Sequence, residues 1–462
     1  MKLLKNYGLF TYLVLFIIAA IFYKERTIFM DASFVVFSII KDNSLAIQNF
    51  RFGSALTQIF PYLAFKLGLS LNQIILSYSV GFVLFFGSIY FVIKKVYKDE
   101  NLSLALLLFN VLIVSGTFYW IQSEQIQGIA LILLYFTSYI YNKKRNSSYL
   151  VAGNYFLLFA IVFIHPILIV SFLYIGIFIL LSNDNAKQIF SKKDYFSQLG
   201  FFIAVYIIKI LFFKHHYDSQ AMGNAKNLFS LFPHYFNLQS NFNFLNNLLK
   251  DYYLFGIILL FEIAYYLKNA KWDKLFLLFS FFFGYLLLIN TSYPNGANKF
   301  YMESHYLQLS LMVIIPFVYD LLPKLNPKSQ ILIVWAILLI RLTHIYLAHQ
   351  PFTERLAWER SYLKNSNLVE NNSKIISGLK NFHLDKLYDN WATPYEFWLL
   401  STIEQKETKS FVFLENPHQL DWAAPRKDAF VTQWGVFDYK DLPQKYFIFK
   451  DTSSSYKFLD AE

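Results

Sequence analysis

The 462-residue chain contains no cysteine and is poor in charge, with Asp, Glu, Lys and Arg making up 15% of its residues. The absence of cysteine excludes disulfides, thiolate metal sites and a cysteine nucleophile. The charged share is well below the level of about 25% found in soluble proteins. No Walker loop, GxGxxG, HExxH or GxSxG motif occurs in a credible context, so soluble nucleotide chemistry is unsupported.

Apolar residues fill the chain instead: 56% of it is hydrophobic and 20% is aromatic. Mainly apolar runs of about 17–25 residues predict membrane-spanning helices. We place eleven spans of about this length at roughly 7–23, 70–93, 102–120, 125–141, 149–163, 166–182, 196–213, 252–267, 275–290, 307–322 and 330–347. They predict an all-α polytopic membrane protein whose transmembrane domain covers residues 1–347.

The apolar stretch from Tyr149 to Ser182 decides the count, since it is long enough for one helix or two short ones. Proline disfavours helix at the residue before it, so His165-Pro166 is expected to split the stretch. With the split, the loops rich in Lys and Arg all fall on one side of the membrane, as the positive-inside rule requires. We therefore predict eleven spans of the cytoplasmic membrane, with a cytoplasmic N-terminus and an outer C-terminus. The same loops account for the net charge of +11, so no nucleic-acid partner is predicted.

Two longer regions fall on the outer side. The first outer loop, residues 24–69, is apolar enough that ASFVVFSII and LTQIFPYLAFKL are expected to lie along the bilayer surface as interfacial helices. From residue 348 charges become dense, and residues 348–462 are predicted to form a small extracytoplasmic α/β domain. We expect helices at about 351–366 and 394–404 and strands at KIISGL, SFVFLE and YFIFKD.

Asp31 lies in this first outer loop, at the predicted boundary between water and lipid. A carboxylate there can accept the proton of a sugar hydroxyl that attacks an activated anomeric carbon. The alternative is an ordinary helix N-cap, because Asp before an apolar helix is common.

Glu124 opens the fourth predicted helix on the same face. The alternative is a structural role, because the helix dipole stabilises a negatively charged side chain at a helix N-terminus. Two carboxylates on one rim, Asp31 and Glu124, can divide acid and base roles. They are also the candidate ligands for a divalent cation such as Mg²⁺ or Mn²⁺.

Five further residues are candidate substrate-binding groups. Arg51 can pair with an anionic lipid phosphate or snorkel at the interface. His165 can contact phosphate or satisfy the backbone freed at the helix break. The polar loop at 292–309 carries Lys299 and His305, which suit a phosphate or pyrophosphate, and Glu303, which can orient one of them or simply be solvated.

These features together resemble the architecture of GT-C fold glycosyltransferases that use polyprenyl-phosphate sugars. The resemblance rests on a cytoplasmic N-terminus, a long amphipathic first outer loop with an acid, and a second acid at the outer start of helix four. About eleven helices and a small outer tail complete it. It covers most of the membrane domain without a shared motif longer than a few residues.

The resemblance implies that Asp31 is the first-loop catalytic acid and Glu124 the second-loop acid, with Lys299 and His305 as phosphate contacts. It implies a polyprenyl-phosphate-linked sugar as donor and a glycan, lipid or protein as acceptor. The family often has paired acids at the first site, whereas Met30-Asp31-Ala32 offers one, which leaves metal dependence open.

Two other classes of protein remain open. A polysaccharide polymerase or O-antigen ligase would place essential Arg and His residues in a late outer loop, here 214–251 or 291–306. A lipid-linked glycan flippase or transporter would show charged residues at the membrane midplane and broken helices in two related halves. Lys209, Arg341 and the His165-Pro166 break are a weak form of that second pattern.

Overall fold

The computed structural model describes residues 6–121, 124–145, 147–182, 192–213, 223–364, 373–382, 387 and 389–459. The chain there is mostly helical, with a small sheet near the C-terminus. Three of the basic residues used to orient the chain, Lys2, Lys5 and Lys187, fall outside the described residues, as does the end of the predicted helix 351–366.

Eighteen α-helices are found in the described residues. In chain order, α1 to α18 are Tyr7–Ile21, Tyr23–Thr27, Met30–Asp42, Ala55–Lys66, Leu71–Phe91, Glu100–Phe109, Glu124–Arg145, Ser148–Val162, Leu168–Leu181, Lys192–Phe212, Asn227–Ser230, Gln239–Lys250, Tyr253–Lys268, Trp272–Ser292, Lys299–Pro316, Pro327–Leu347, Gln350–Lys364 and Thr393–Gln405.

Each of the eleven predicted spans contains a helix. The helical structure is interrupted between α8 and α9, at His165-Pro166 as predicted. Five helical stretches of the described residues are long and apolar enough to cross a membrane, and four apolar helices are shorter. The five stretches are Leu71–Val96, Lys193–Phe212, Trp272–Ser292, Lys299–Lys324 and Pro327–Lys364. The chain therefore has membrane-protein character.

Helix α15 lies at the centre of the helical part. Every residue from Met302 to Pro316 is buried, because other helices surround this one on all sides. Its polar side chains find partners inside the protein; Gln308, for example, accepts a hydrogen bond from the Ser171 hydroxyl. Helices α6, α7, α9, α13 and α14 pack around it.

The predicted helix 102–120 is half as long as expected, because α6 ends at Phe109. The chain from Asn110 to Ile121 is irregular apart from one short 3-10 turn, Gly116–Phe118, yet nearly all of it is buried. Irregular backbone at such depth must have its polar groups satisfied by the protein itself.

Three buried charged side chains satisfy this irregular segment. Arg341 donates from its guanidinium to the carbonyls of Val111 and Val114, at 3.1 and 2.9 Å. Arg26 donates to the carbonyl of Phe118 at 2.9 Å. The Glu303 carboxylate accepts from both the backbone N–H and the hydroxyl of Ser115 and Thr117, and from the Tyr252 hydroxyl.

The C-terminal part contains a parallel three-stranded sheet in the order β2-β1-β5, with β1 at Lys374–Gly378, β2 at Ser410–Leu414 and β5 at Lys457–Leu459. Helix α18 connects β1 to β2, as a parallel pair requires. Strands β3 (Ala429–Val431) and β4 (Val436–Asp438) form an antiparallel hairpin.

The predicted strand YFIFKD, residues 446–451, is wrong. Its alternating aromatic residues pack on neighbouring rings instead: Phe447 stacks on Trp398 of α18 at 4.6 Å, and Phe449 stacks on Tyr439 at 3.5 Å. These ring contacts bury the alternating aromatic side chains, so they account for the apolar alternation without a β-strand at this position. The third strand of the sheet is β5.

The two helices expected at the bilayer surface differ in their surroundings. Helix α4 has an exposed apolar face of Leu56, Ile59 and Leu63 at helical spacing, which fits the expectation. Helix α3 is buried on nearly every face instead, because the C-terminal part covers it. Phe37 of α3 is the centre of this contact, with five rings around it at 4.9–5.8 Å: Tyr395, Trp398, Phe430, Phe437 and Phe447.

Candidate functional site

A cavity of about 530 Å³ lies where the first predicted outer loop, the start of α7, the start of α15 and the C-terminal part meet. Its volume is in the range typical of small-molecule sites. Five of the seven predicted site residues line it: Asp31, Arg51, Glu124, His165 and His305. They come from four separate stretches of the chain, which the fold brings together.

Asp31 is not the N-cap of its helix. Helix α3 begins at Met30 after an extended Phe29, and Asp31 lies within its first turn without a capping role. Its carboxylate oxygen Oδ2 accepts a hydrogen bond from the Trp120 indole at 2.8 Å. Trp120 follows the irregular segment, so the broken helix α6 supplies the hydrogen-bond donor for Asp31.

The backbone next to Asp31 is held by the C-terminal part. Met30 has a φ of 41°, a left-handed conformation that is unusual for a side chain of this kind. Its N–H donates to Glu396 Oε1 of α18 at 2.6 Å, and Glu396 Oε2 accepts from Arg355 Nη2 at 2.7 Å. The Arg355–Glu396 pair is fully buried. Helices α17 and α18 therefore fix where α3 begins.

Burial raises the pKa of the Asp31 carboxyl from its ordinary value to about 6. The hydrogen bond from Trp120 opposes this rise, and the nearby carboxylate of Glu124 adds to it. A carboxylate with a pKa near 6 is mostly ionised at neutral pH and accepts a proton more readily than an ordinary Asp. Asp31 is thus suited to act as a general base.

Glu124 opens helix α7 and pairs with Arg51, whose Nη1 lies 3.1 Å from Glu124 Oε2. Both side chains are mostly buried. The loop carrying Arg51 approaches the end of α8 closely, because Gly53 leaves room for it: a Cβ there would lie 1.8 Å from Cγ1 of Ile164. This contact brings the Arg51 loop next to the turn that holds His165.

His165 accepts a hydrogen bond at Nδ1 from the backbone N–H of Ile167 at 3.3 Å, which is the backbone role expected of it, and its side chain lines the cavity. His305 Nδ1 lies 3.1 Å from the Gln125 amide nitrogen, which donates to it. Both rings then carry their proton on Nε2. The Nε2 of His305 is buried and has no hydrogen-bond partner among the described residues, so it is a donor available to a ligand.

The other two predicted site residues lie elsewhere. Lys299 points away from the cavity and pairs with Asp251, at 2.7 Å between Nζ and Oδ2. Glu303 is fully buried behind the cavity, where it holds the irregular segment as described above. Lys299 and Glu303 are close to His305 in sequence but do not line the cavity, because residues of one helix face different directions.

The acidic residues do not fit a metal centre. Among the described stretches of the chain, no three His, Asp or Glu side chains cluster closely enough to hold a metal ion. Asp31 accepts from Trp120, and Glu124 is neutralised by Arg51.

A second pocket of about 270 Å³ shares Arg51, His165, Tyr301 and His305 with the first. Apart from these residues its lining is mainly aliphatic and aromatic, from α9, α10, α14 and the residues that flank them: Ile167, Ile169, Val170, Tyr206, Leu288, Ile289 and Tyr293. The cationic and histidine side chains thus lie between a polar cavity and an apolar pocket.

Comparison with protein-family models, with curated proteins and with solved structures finds no match to this chain.

Sequence reasoning missed several residues of the cavity. Trp120, Gln125, Asp389, Trp391 and Trp434 all line it. One signal was available: Asp389 and Trp391 stand two residues apart in the tail, in the order DNW. Nothing in the sequence, however, pairs Trp434 with Trp391.

Proposed function

We propose that the chain is an integral membrane glycosyltransferase that moves a sugar from a polyprenyl-phosphate donor to an acceptor at the outer face of the cytoplasmic membrane. The proposal includes eleven membrane spans, a cytoplasmic N-terminus and an outer C-terminal domain. Its main support is the convergence of Asp31, Glu124, Arg51, His165 and His305 on one cavity that adjoins an apolar pocket.

The two adjoining pockets match the two halves of such a donor. A polyprenyl chain is apolar and suits the pocket between α9, α10 and α14. The phosphate would then lie at the shared boundary, where Arg51 supplies charge and His305 a buried N–H donor. The sugar would extend into the polar cavity, towards Asp31.

The reaction needs a base and a stabilised leaving group. The acceptor hydroxyl gives its proton to the Asp31 carboxylate as its oxygen bonds to the anomeric carbon. The bond between that carbon and the phosphate oxygen breaks, and its electrons go to the phosphate. Arg51 and the two histidines stabilise the charge that develops there. Glu124 keeps Arg51 oriented through their ion pair.

The test uses the full chain, purified in lipid nanodiscs, with farnesyl-phosphate-linked glucose, mannose and N-acetylglucosamine as donor probes. Release of farnesyl phosphate is measured by mass spectrometry. Loss of a general base lowers turnover by roughly 10²–10⁴-fold, so D31N should fall by at least about 100-fold. The matched control is D42N, on the same helix but exposed and outside the cavity.

Turnover of D31N at the wild-type rate would refute the proposal. In cells the same pair of variants should differ in one surface glycan, lost with D31N and kept with D42N, at equal protein levels in the membrane. A flippase or transporter would instead move the intact lipid-linked sugar without releasing farnesyl phosphate.

A further inference from the structure

The C-terminal part supplies one wall of the cavity with two tryptophans and a carboxylate. Asp389, Trp391 and Trp434 line it there. The two indoles stack on each other, with ring centres 4.7 Å apart and planes 23° apart. None of the three lines the apolar pocket, so this wall is separate from the boundary that Arg51 and His305 share.

Trp434 is held in place although it is 61% exposed. It lies at the tip of the β3–β4 hairpin, where the Thr432 hydroxyl accepts hydrogen bonds from the N–H groups of Trp434 and Gly435, at 3.4 and 3.0 Å. The hairpin is anchored below, because Phe430 and Phe437 pack on Phe37 of α3. Binding residues are often carried by loops that a rigid scaffold holds in place, and this turn is one that borders the cavity.

The segment that carries Asp389 and Trp391 is fixed as well. Arg355 Nη2 donates to the Asp389 carbonyl at 2.7 Å, and the Asn390 amide donates to the carbonyl of Phe413 at 2.7 Å. Phe34 of α3 contacts both indoles edge-on, at 6.1 and 6.2 Å. The two indoles therefore form a rigid platform that needs no rearrangement to bind a ring.

The side chains of this wall suit a carbohydrate ring. The face of an indole is electron-rich and attracts the polarised C–H groups on the flat side of a pyranose. The Asp389 carboxylate is an acceptor for hydroxyl groups, and neutral amides at Gln48, Asn49 and Asn298 also line the cavity. A lipid acceptor would not benefit from the carboxylate and the amides.

We propose that Trp391, Trp434 and Asp389 form the acceptor subsite and that the acceptor is a saccharide. The inference rests on the proposed function and names its acceptor class. The donor sugar enters from the side of Arg51 and His305, and the acceptor ring lies on the indole platform. Its attacking hydroxyl then faces Asp31, which takes the proton.

Two measurements on the full chain in nanodiscs test the subsite. Binding of cellobiose, maltose, mannobiose and diacetylchitobiose is followed by saturation-transfer NMR, and transfer from the farnesyl-phosphate donors to each is followed by mass spectrometry. We expect W434A and W391A to raise the acceptor KM by about tenfold and to lower the ratio of transfer to donor hydrolysis. W434F should restore most of the binding.

The control is W422A, because Trp422 is in the same part of the chain, is 67% exposed and does not line the cavity. It should behave as wild type. The subsite is refuted if none of the four disaccharides receives saturation from the wild-type protein. It is likewise refuted if W391A and W434A have the same acceptor KM as the wild-type protein. It is also refuted if dodecanol or the peptide Gly-Asn-Gly-Thr accepts the sugar and no saccharide does.

The two proposals fail in different ways. If D31N keeps full turnover of the donor, the proposed function fails. If D31N abolishes turnover while W391A and W434A transfer sugar with the wild-type acceptor KM, only the saccharide subsite fails.

Discussion

Asp31 accepts a hydrogen bond from Trp120 and lies near Glu124, whose charge Arg51 balances. Burial is the main cause of its raised pKa; the Trp120 hydrogen bond opposes that rise and the Glu124 carboxylate adds to it. Removing the Trp120 indole N–H removes a hydrogen bond that stabilises the ionised Asp31 carboxylate. The pKa of Asp31 should then rise, and the pH dependence of turnover should shift with it.

We predict that turnover rises with pH through about 6 and then levels off, because Asp31 must be ionised to accept a proton and its pKa is about 6. W120F should move this midpoint upward by about one pH unit, since a hydrogen bond to a charged group contributes about 1.5 kcal/mol or more and one pKa unit is about 1.4 kcal/mol. The measurement is farnesyl phosphate release across pH 4.5–9. An unmoved midpoint in W120F would show that another group titrates.

His305 offers a second prediction at this scale. Its buried Nε2 has no partner in the described part of the chain, and H305F removes that donor while keeping the ring. Loss of one hydrogen bond to a charged phosphate should raise the donor KM by about tenfold or more. The control is H234F, since His234 is exposed and outside the cavity. Equal donor KM values in the two variants would remove His305 from the phosphate site.

Among the secondary-structure elements, the break after α6 is the one on which the site depends. A continuous helix from 102 to 120 would carry Trp120 elsewhere. The break is stable because Arg26, Arg341 and Glu303 together satisfy the backbone groups that the missing turns leave unpaired. The same three side chains lie inside the protein, where an unpaired charge would be costly.

We predict that E303Q destabilises the folded protein by roughly 3 kcal/mol, because the amide cannot accept from all the donors of Ser115, Thr117 and Tyr252. Thermal unfolding followed by intrinsic fluorescence should show a lower midpoint. E415Q is the matched control, since Glu415 is exposed on the C-terminal part. Equal midpoints for the two variants would mean that Glu303 does not hold the break.

Over the whole molecule, the C-terminal part and the helical part share one hydrophobic core, which runs from Tyr12 to Phe447. Phe37 stands at the contact, and the Glu396–Met30 hydrogen bond crosses it beside Asp31. Asp31 and the cavity wall of Asp389, Trp391 and Trp434 thus come from two distant parts of the sequence.

We predict that F37A loosens the C-terminal part, at a cost of about 3–5 kcal/mol for truncating a buried Phe. Limited proteolysis should cut residues 348–462 faster, and turnover should fall because Met30 and Asp31 lose their support. F236A serves as the control, because Phe236 is 88% exposed. Unchanged proteolysis in F37A would show that the two parts are held together by other contacts.

The sequence by itself determined the membrane character, the helices within all eleven predicted runs and the break at His165-Pro166, because local hydrophobicity and proline act over short distances. It also named five of the residues around the cavity. Only the tertiary structure decided which of Asp31, Lys299 and Glu303 face that cavity. It also decided that Trp120 binds Asp31, that α3 lies beneath the C-terminal part and that Trp391 stacks on Trp434. Those contacts join residues 43–366 positions apart, and no local pattern encodes such distances.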